Sequence, residues 1–347
     1  MSPPTEQTGY RIHHWGDQPA WDSFPTREPG PEEALIEVEA CGIGGTVLNC
    51  IAGQLADERA TLPRVPGHEV VGRVVGVGAN VSSEIVGRRI VAYFYLICGR
   101  CAACVSDMEA RCMDLAGWVG VHVDGGYAPW MVLPSRNVIV VPAEVDPVEA
   151  TVAADAVATP VHVAERAAIG PDDRVAVIGA GGGVGAHMVQ VAAQHGAAVA
   201  GLDITDEKLA LIERLGALPV PSPDFSHLDG GLFDGAAPTV VVDFIGTTMS
   251  GSWALASLAT GGRLVAMTTF PERPIPLEPR DLVMRELSVI GSRYATRSQV
   301  AEAVRLVANG AVEPIIGAIT DPSGVPELHE ELRAGRVLGR GALDWSR

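Results

Sequence analysis

Along the first 150 or so residues, short apolar runs occur at 34–40, 70–77, 89–93 and 137–141, each separated from the next by Gly and Pro turns. Runs of this length and spacing predict the strands of an irregular, mostly antiparallel β domain. From residue 174 the pattern changes. A short apolar run at 174–178 is followed by helical spacing over 184–195, with Val184, Met188, Val191 and Ala192 on one side. A second apolar run at 199–202 precedes another helix at 207–215, and further strands are predicted at 239–243, 263–267 and 288–291. Strand and helix alternating in this way predict a parallel sheet covered by helices. A last helix is predicted at 299–309, followed by short segments. There is no internal repeat and no low-complexity tract.

A chain of 347 residues is long for one core and points to two domains. The first twenty residues lack the apolar run of a signal peptide, and no stretch of about eighteen apolar residues offers a membrane span. The expectation is a cytoplasmic protein. With 25 Lys and Arg against 42 Asp and Glu, the net charge is −17. Such a surface repels phosphate backbones and anionic membranes, so neither nucleic acid nor a membrane is expected as a partner.

Between the first strand and helix of the second half lies the run Gly179, Ala180, Gly181, Gly182, Gly183, Val184, Gly185. Glycines there permit a tight turn and let the backbone approach a pyrophosphate, while the helix that follows aims free N–H groups at that anion. Asp203, eighteen residues after Gly185, ends the next predicted strand. A carboxylate at that point accepts hydrogen bonds from an adenosine ribose and repels a 2′-phosphate, which favours NAD(H) over NADP(H). The alternative is an ordinary βα turn. The run departs from a regular G-x-G-x-x-G, its best register beginning at Ala180.

Four of the six cysteines, Cys98, Cys101, Cys104 and Cys112, form a C-x2-C-x2-C-x7-C cluster. Four thiolates on one short segment close a tetrahedral shell around zinc and leave no position open, which is the signature of a structural site. Reduced cysteines without metal, or an iron–sulfur cluster, are the alternatives.

This lobe, placed in a β-rich half that precedes a Rossmann unit, resembles the zinc-containing alcohol dehydrogenases of the medium-chain family. The likeness extends to Val65-Pro-Gly-His-Glu-Val-Val-Gly72, Gly125-Gly-Tyr-Ala128, Lys208, Asp243, Gly261-Gly-Arg263 and Gly339-Arg340. It implies a GroES-like catalytic domain at 1–154 and 293–347, with its four-cysteine lobe at 95–113, and a Rossmann domain at 155–292. The active site is then expected in the cleft between them, and a homodimer or homotetramer is expected because relatives usually are. The resemblance also implies cofactor contacts from Thr159 and Lys208, and an Arg340 that reaches the pyrophosphate; a solvated surface arginine is the alternative.

The family pattern holds a second, catalytic zinc on a cysteine, the histidine of Gly-His-Glu, and a cysteine or aspartate before the Rossmann domain. His68, Glu69 and Asp155 match. The first ligand does not, because the chain reads Gly42-Ile43-Gly44-Gly45-Thr46-Val47-Leu48-Asn49. Glycine stands for the ligand cysteine, Val47 for an orienting aspartate and Asn49 for a proton-relaying histidine. Only Thr46 remains to pass a proton. Cys41 and Cys50 lie three residues early and six late, so neither substitutes without a different loop. His68 satisfied inside the core and Asp155 capping a helix are the plain alternatives, and His162, His187 and His195 are assigned no role. Three functions follow for a small-molecule substrate: an alcohol dehydrogenase or ketone reductase with an altered zinc site, a reductase of activated C=C or C=N bonds without catalytic zinc, and a cofactor-binding protein without catalysis. Loops 49–63, 115–122 and 268–278 are expected to line the pocket.

Overall fold

The computed structural model describes residues 3–228, 231–268 and 273–347, so residues 269–272 of the expected pocket loop lie outside the described residues. The chain divides into two units. One comprises Met1–Ala158, Ala295–Gly310 and Ile316–Arg347; the other comprises Thr159–Tyr294 and Ala311–Ile315. The first boundary therefore falls four residues later than the sequence suggests. A five-residue segment of the C-terminal part also belongs with the second unit.

In the first unit, strands β1 (Glu6–Arg11) and β2 (Ala20–Pro25) form a hairpin. They are followed by β3 (Glu33–Ile43), α1 (Gly45–Ile51), β4 (Glu69–Val77), β5 (Arg89–Ala92), α2 (Ala102–Val105), β6 (Trp130–Pro134), β7 (Val138–Val140) and α3 (Pro147–Ala150). The chain then enters the second unit with α4 (Ala158–Arg166), β8 (Arg174–Ile178), α5 (Gly185–Gln194), β9 (Ala198–Asp203), α6 (Asp206–Arg214), β10 (Leu218–Pro221), β11 (Val240–Asp243), α7 (Thr248–Ser257), β12 (Arg263–Ala266), α8 (Pro279–Arg285) and β13 (Ser288–Gly291). It ends with α9 (Arg297–Ala308), β14 (Ile316–Thr320), α10 (Val325–Arg333) and β15 (Arg340–Asp344).

The second unit holds a six-stranded parallel sheet in the order β10-β9-β8-β11-β12-β13. This is the doubly wound order, with its topological switch between β8 and β11. All four residues of β11 are buried, as a central strand covered on both faces requires. β10 carries two prolines and sits at the edge, where a missing N–H breaks no ladder.

The first unit is built on a seven-stranded sheet with the path β14-β15-β3-β4-β5-β7 and β6 paired to β3. Every pair is antiparallel except β14 with β15. β3 runs to Ile43, past the 34–40 stretch legible in the sequence, because β15 and β4 pair with its last residues on either side. Strands β14 and β15 and helix α10 are too short or too irregular in pattern for the sequence to announce. Loops 49–63 and 115–122 are tied together. His122 Nδ1 accepts from the Trp118 amide at 3.1 Å, its Nε2 meets Asp57 at 3.1 Å, and Arg59 donates to the Leu115 carbonyl at 2.8 Å.

On α10, His329 is buried and its Nε2 lies 2.8 Å from the hydroxyl of Tyr127, also buried. Burial, with Arg333 adding to it, holds the imidazole down at about 4. It is neutral when folded and takes up a proton on unfolding below about pH 6.5, so its contribution is present above that pH and is lost as pH falls toward 4. Denaturant titrations are expected to lose about 3 kcal/mol of stability over that window through this group. His329→Gln should flatten the slope, and an unchanged slope would reject the assignment.

Candidate functional site

The glycine-rich loop expected to bind a dinucleotide lies where β8 hands over to α5. Gly179 has φ +80°, a left-handed conformation that side chains avoid. A Cβ on Gly185 would overlap the Gly179 carbonyl, and one on Gly181 would overlap Lys208. The amides of Gly179 and Ala180 both donate to the Leu202 carbonyl, at 2.9 and 3.1 Å, so the loop is stitched to β9. Asp203 ends β9 and is buried. Its carboxylate accepts from the Gly181 amide at 2.8 Å and from the Ile204 amide at 2.9 Å, and Lys208 Nζ lies 3.5 Å away. Gly182, Gly183 and Val184 complete the turn, half-buried, before the helix opens at Gly185.

Two further anchors hold this loop and its neighbour: His187, to which the sequence assigned no role, and Asp243, one of the residues that carry the likeness. His187 is buried, with Nδ1 2.6 Å from the Gly183 carbonyl and Nε2 accepting from the Ile315 amide at 3.1 Å. Because Nε2 accepts, Nδ1 carries the proton and holds the Gly183 carbonyl back from the face an anion would approach. Asp243 accepts from the Ile245 and Gly246 amides and from Ser250 Oγ, fixing the turn after β11. Thr159 is buried in α4; His162 is also buried and His195 exposed.

In the four-cysteine lobe, Cys98 and Cys104 sulfurs are 3.9 Å apart, Cys101 and Cys104 3.5 Å, and Cys101 and Cys112 4.0 Å. A zinc with four bonds of about 2.3 Å needs sulfur–sulfur edges of about 3.8 Å. The sulfurs fit that tetrahedron. Amides of Arg100 and Cys101 donate to Cys98, and that of Cys98 to Cys112. Amide donation from Met113 and Cys104 holds the Cys101 thiol down at about 6, whereas burial pushes Cys104 up to about 12. A bound cation would offset the cost of ionising Cys104.

The second cluster is assembled by strand register. In β3 and β4, Gly42 faces Glu69; in β3 and β15, Ile43 faces Gly341, which brings Arg340 opposite Gly44. Arg340 is 3% exposed and Glu69 0%. The Arg340 guanidinium pairs with both Glu69 oxygens, Nε at 3.1 Å from Oε2 and Nη2 against Oε1, and Nη2 lies 3.5 Å from Asp155 Oδ2. The guanidinium is thus buried and not a solvated surface group, because the register leaves it among buried carboxylates. His68 is buried against Phe94, ring centroids 4.7 Å apart, and its Nε2 sits 3.7 Å from Asp155 Oδ2 without a hydrogen-bond partner among the described residues. Burial opposes its protonation, but Asp155, Cys50 and Glu69 outweigh burial and hold it up at about 10. Thr46 and Asn49 are half-buried on α1, one turn from each other.

Ligand atoms of His68, Glu69 and Asp155 come within 4.8 Å of one another, and the unpartnered Nε2 is what a metal ligand would present. The shell is nevertheless incomplete. Gly44 offers no donor, and a Cβ built on it would overlap the Arg340 guanidinium. Glu69 is already engaged by that guanidinium. The residues present lack the cysteine of the three-ligand catalytic zinc that the resemblance implies, while His68 and Asp155 still offer two ligand atoms.

Residues 30–143 match the alcohol dehydrogenase GroES-like domain and residues 183–309 the zinc-binding dehydrogenase domain. An alcohol dehydrogenase of Geobacillus stearothermophilus is 33% identical over 92% of this chain and 93% of its own. An acryloyl-coenzyme A reductase of Sulfurisphaera tokodaii is 26% identical over 97% of each chain. A cobalt- and zinc-bound thermostable alcohol dehydrogenase from Pyrobaculum aerophilum superposes with a TM-score of 0.89 at 27% identity, covering 98% of this chain and 99% of that one.

The lobe geometry sets an expectation for Cys101→Ser. Elemental analysis should read one zinc per chain fewer than in the wild type, and melting should fall by about 5–10 °C as the closed shell opens. A variant with unchanged zinc would reject the lobe as a metal site.

Proposed function

Because the chain belongs to the medium-chain dehydrogenase/reductase family, as an alcohol dehydrogenase-like member, we propose that it is an NAD(H)-dependent reductase of small molecules whose acceptor carbon is already electrophilic. An enone, an iminium or an unsaturated thioester has that property. The observation that carries this reading is Gly44, which stands where the pattern for a catalytic zinc that polarises a simple ketone or alcohol has its ligand cysteine. The likeness to an acryloyl-coenzyme A reductase supports the same class of acceptor.

The loop of Ala180, Gly181, Gly182, Gly183, Val184 and Gly185 would hold the cofactor pyrophosphate, Asp203 and Lys208 the adenosine ribose, and Thr159 a further cofactor contact. Bound there, the dihydronicotinamide supplies the hydride. Reduction of a conjugated alkene then leaves an enolate whose α-carbon takes one proton. The Thr46 hydroxyl or the His68 imidazole is the donor this chain offers, replenished from water. Cys98, Cys101, Cys104 and Cys112 would hold a structural zinc away from this chemistry.

A second reading, alcohol or ketone chemistry on a weakened metal site, is favoured by the unpartnered His68 Nε2 at 3.7 Å from Asp155 Oδ2. The two separate in one assay. With NADH and conjugated acceptors, turnover should survive a chelator that leaves the circular dichroism unchanged. Oxidation of simple alcohols with NAD, abolished by that chelator, would instead establish the second reading. For cofactor choice, NADH should bind at least about tenfold more tightly than NADPH, and Asp203→Ser should narrow that gap about tenfold. The variant should also bind NADH more weakly, since Asp203 holds the Gly181 amide.

A further inference from the structure

We propose that His187 is a positioning residue for the bound cofactor, and that the segment Ala311–Ile315 selects the tautomer in which it does so. The inference rests on the reading that the glycine-rich loop holds NAD(H), and it adds what keeps that loop in shape.

Residues Ala311–Ile315 group with the second unit although the chain on either side of them belongs to the first. Helix α5 holds this strap through three side chains, spaced three and four residues apart on one face. Gln194 Nε2 donates to the Ala311 carbonyl at 3.0 Å. Gln190 donates to the Glu313 carbonyl at 2.9 Å and accepts from the Glu313 amide at 2.7 Å. His187 Nε2 accepts from the Ile315 amide at 3.1 Å. Alternate residues of the strap are thus held by their backbone, antiparallel to α5, while Val312 and Ile315 bury their side chains. Contacts of this kind ask for no particular side chain at 311, 313 or 315.

Of the three holding side chains, only His187 also reaches the glycine-rich loop. A neutral imidazole has one N–H and one lone pair, and the partner of one nitrogen decides the state of the other. Because the Ile315 amide donates to Nε2, the proton sits on Nδ1, where it is donated to the Gly183 carbonyl at 2.6 Å. With the strap displaced, the proton is free to move to Nε2. Nδ1 would then set a lone pair against the carbonyl oxygen, and an anchor would become a repulsion. His187 is wholly buried, so water is not at hand to take the place of either partner. The Gly183 carbonyl lies in the turn whose amides would face the pyrophosphate, and there a displaced carbonyl opposes the anion.

The full-length protein with NADH as the probe tests this. Imidazole nitrogen shifts of 15N-histidine-labelled protein, assigned by loss of one resonance in a variant, should show His187 as the Nδ1–H tautomer; the Nε2–H tautomer overturns the proposal. In His187→Asn the side-chain N–H stands near the place of Nδ1, whereas in His187→Gln the amide oxygen can stand for Nε2 and no donor meets Gly183. NADH is expected to bind about tenfold more weakly to His187→Gln and within about threefold of wild type to His187→Asn. Equal affinity in His187→Gln and wild type, or equal loss in both variants, overturns the proposal. Should neither variant fold, hydrogen exchange of the wild type decides. Saturating NADH should slow exchange at the Ile315 amide at least about threefold, since coupling between loop and strap is reciprocal, and unchanged exchange overturns the proposal. A folded wild type that binds no NADH sinks the cofactor reading and the proposal with it, whereas every other adverse outcome leaves that reading standing.

Discussion

Glu69 and Arg340 carry opposite charges at a place in the first unit that water does not reach, 271 residues apart in the chain and on the two strands that flank β3. Burying either alone would cost several kcal/mol, and removing one partner of such a pair typically costs about 3–5 kcal/mol because the other is left uncompensated. Much of the local architecture answers to that constraint. β3 extends to Ile43 with β4 and β15 on either side of it, and a Cβ on Gly42 or Gly44 would meet the Glu69 carboxylate or the Arg340 guanidinium. Asp155 comes under the same guanidinium, and through Asp155 the orientation of His68 is tied to it.

The glycine-rich loop after β8 is shaped by similar means. Its glycines remove side chains so that backbone amides would be able to face an anion, whereas at Gly42 and Gly44 a Cβ would meet the Glu69 carboxylate or the Arg340 guanidinium. In each case one carboxylate sets the geometry: Asp203 holds the Gly181 amide, and Glu69 holds Arg340. His187 adds a restraint of the opposite kind, drawing the Gly183 carbonyl away so that the loop shows donors to its ligand.

The combination ties the proposed chemistry to the chain itself. Hydride comes from a cofactor that a doubly wound sheet is built to hold. The cluster lacks the ligand cysteine of the pattern at Gly44, and the proposed acceptors are ones that bring their own electrophilicity. In that proposal Thr46 and His68 move the proton, and the four-cysteine lobe would hold a zinc whose closed shell takes no part in the chemistry.

Much of this was readable without coordinates, for identifiable reasons. Local pattern determines what is local: continuous apolar runs marked β8, β9 and β11, glycine spacing marked the turn between β8 and α5, and four thiols within fifteen residues marked a lobe whose sulfurs meet. Motif residues close in sequence, such as His68 and Glu69, could be named as well, and so could the missing ligand at Gly44. Arg340 could not be placed, because its environment depends on which strand lies beside the end of β3, and β15 is five residues preceded by Gly. Register is a tertiary property: shifting it by one residue turns every side chain to the other face. Only the assembled sheet decided that Arg340 points into the space Gly44 leaves open, and that a position read as a lost ligand is filled by a charge.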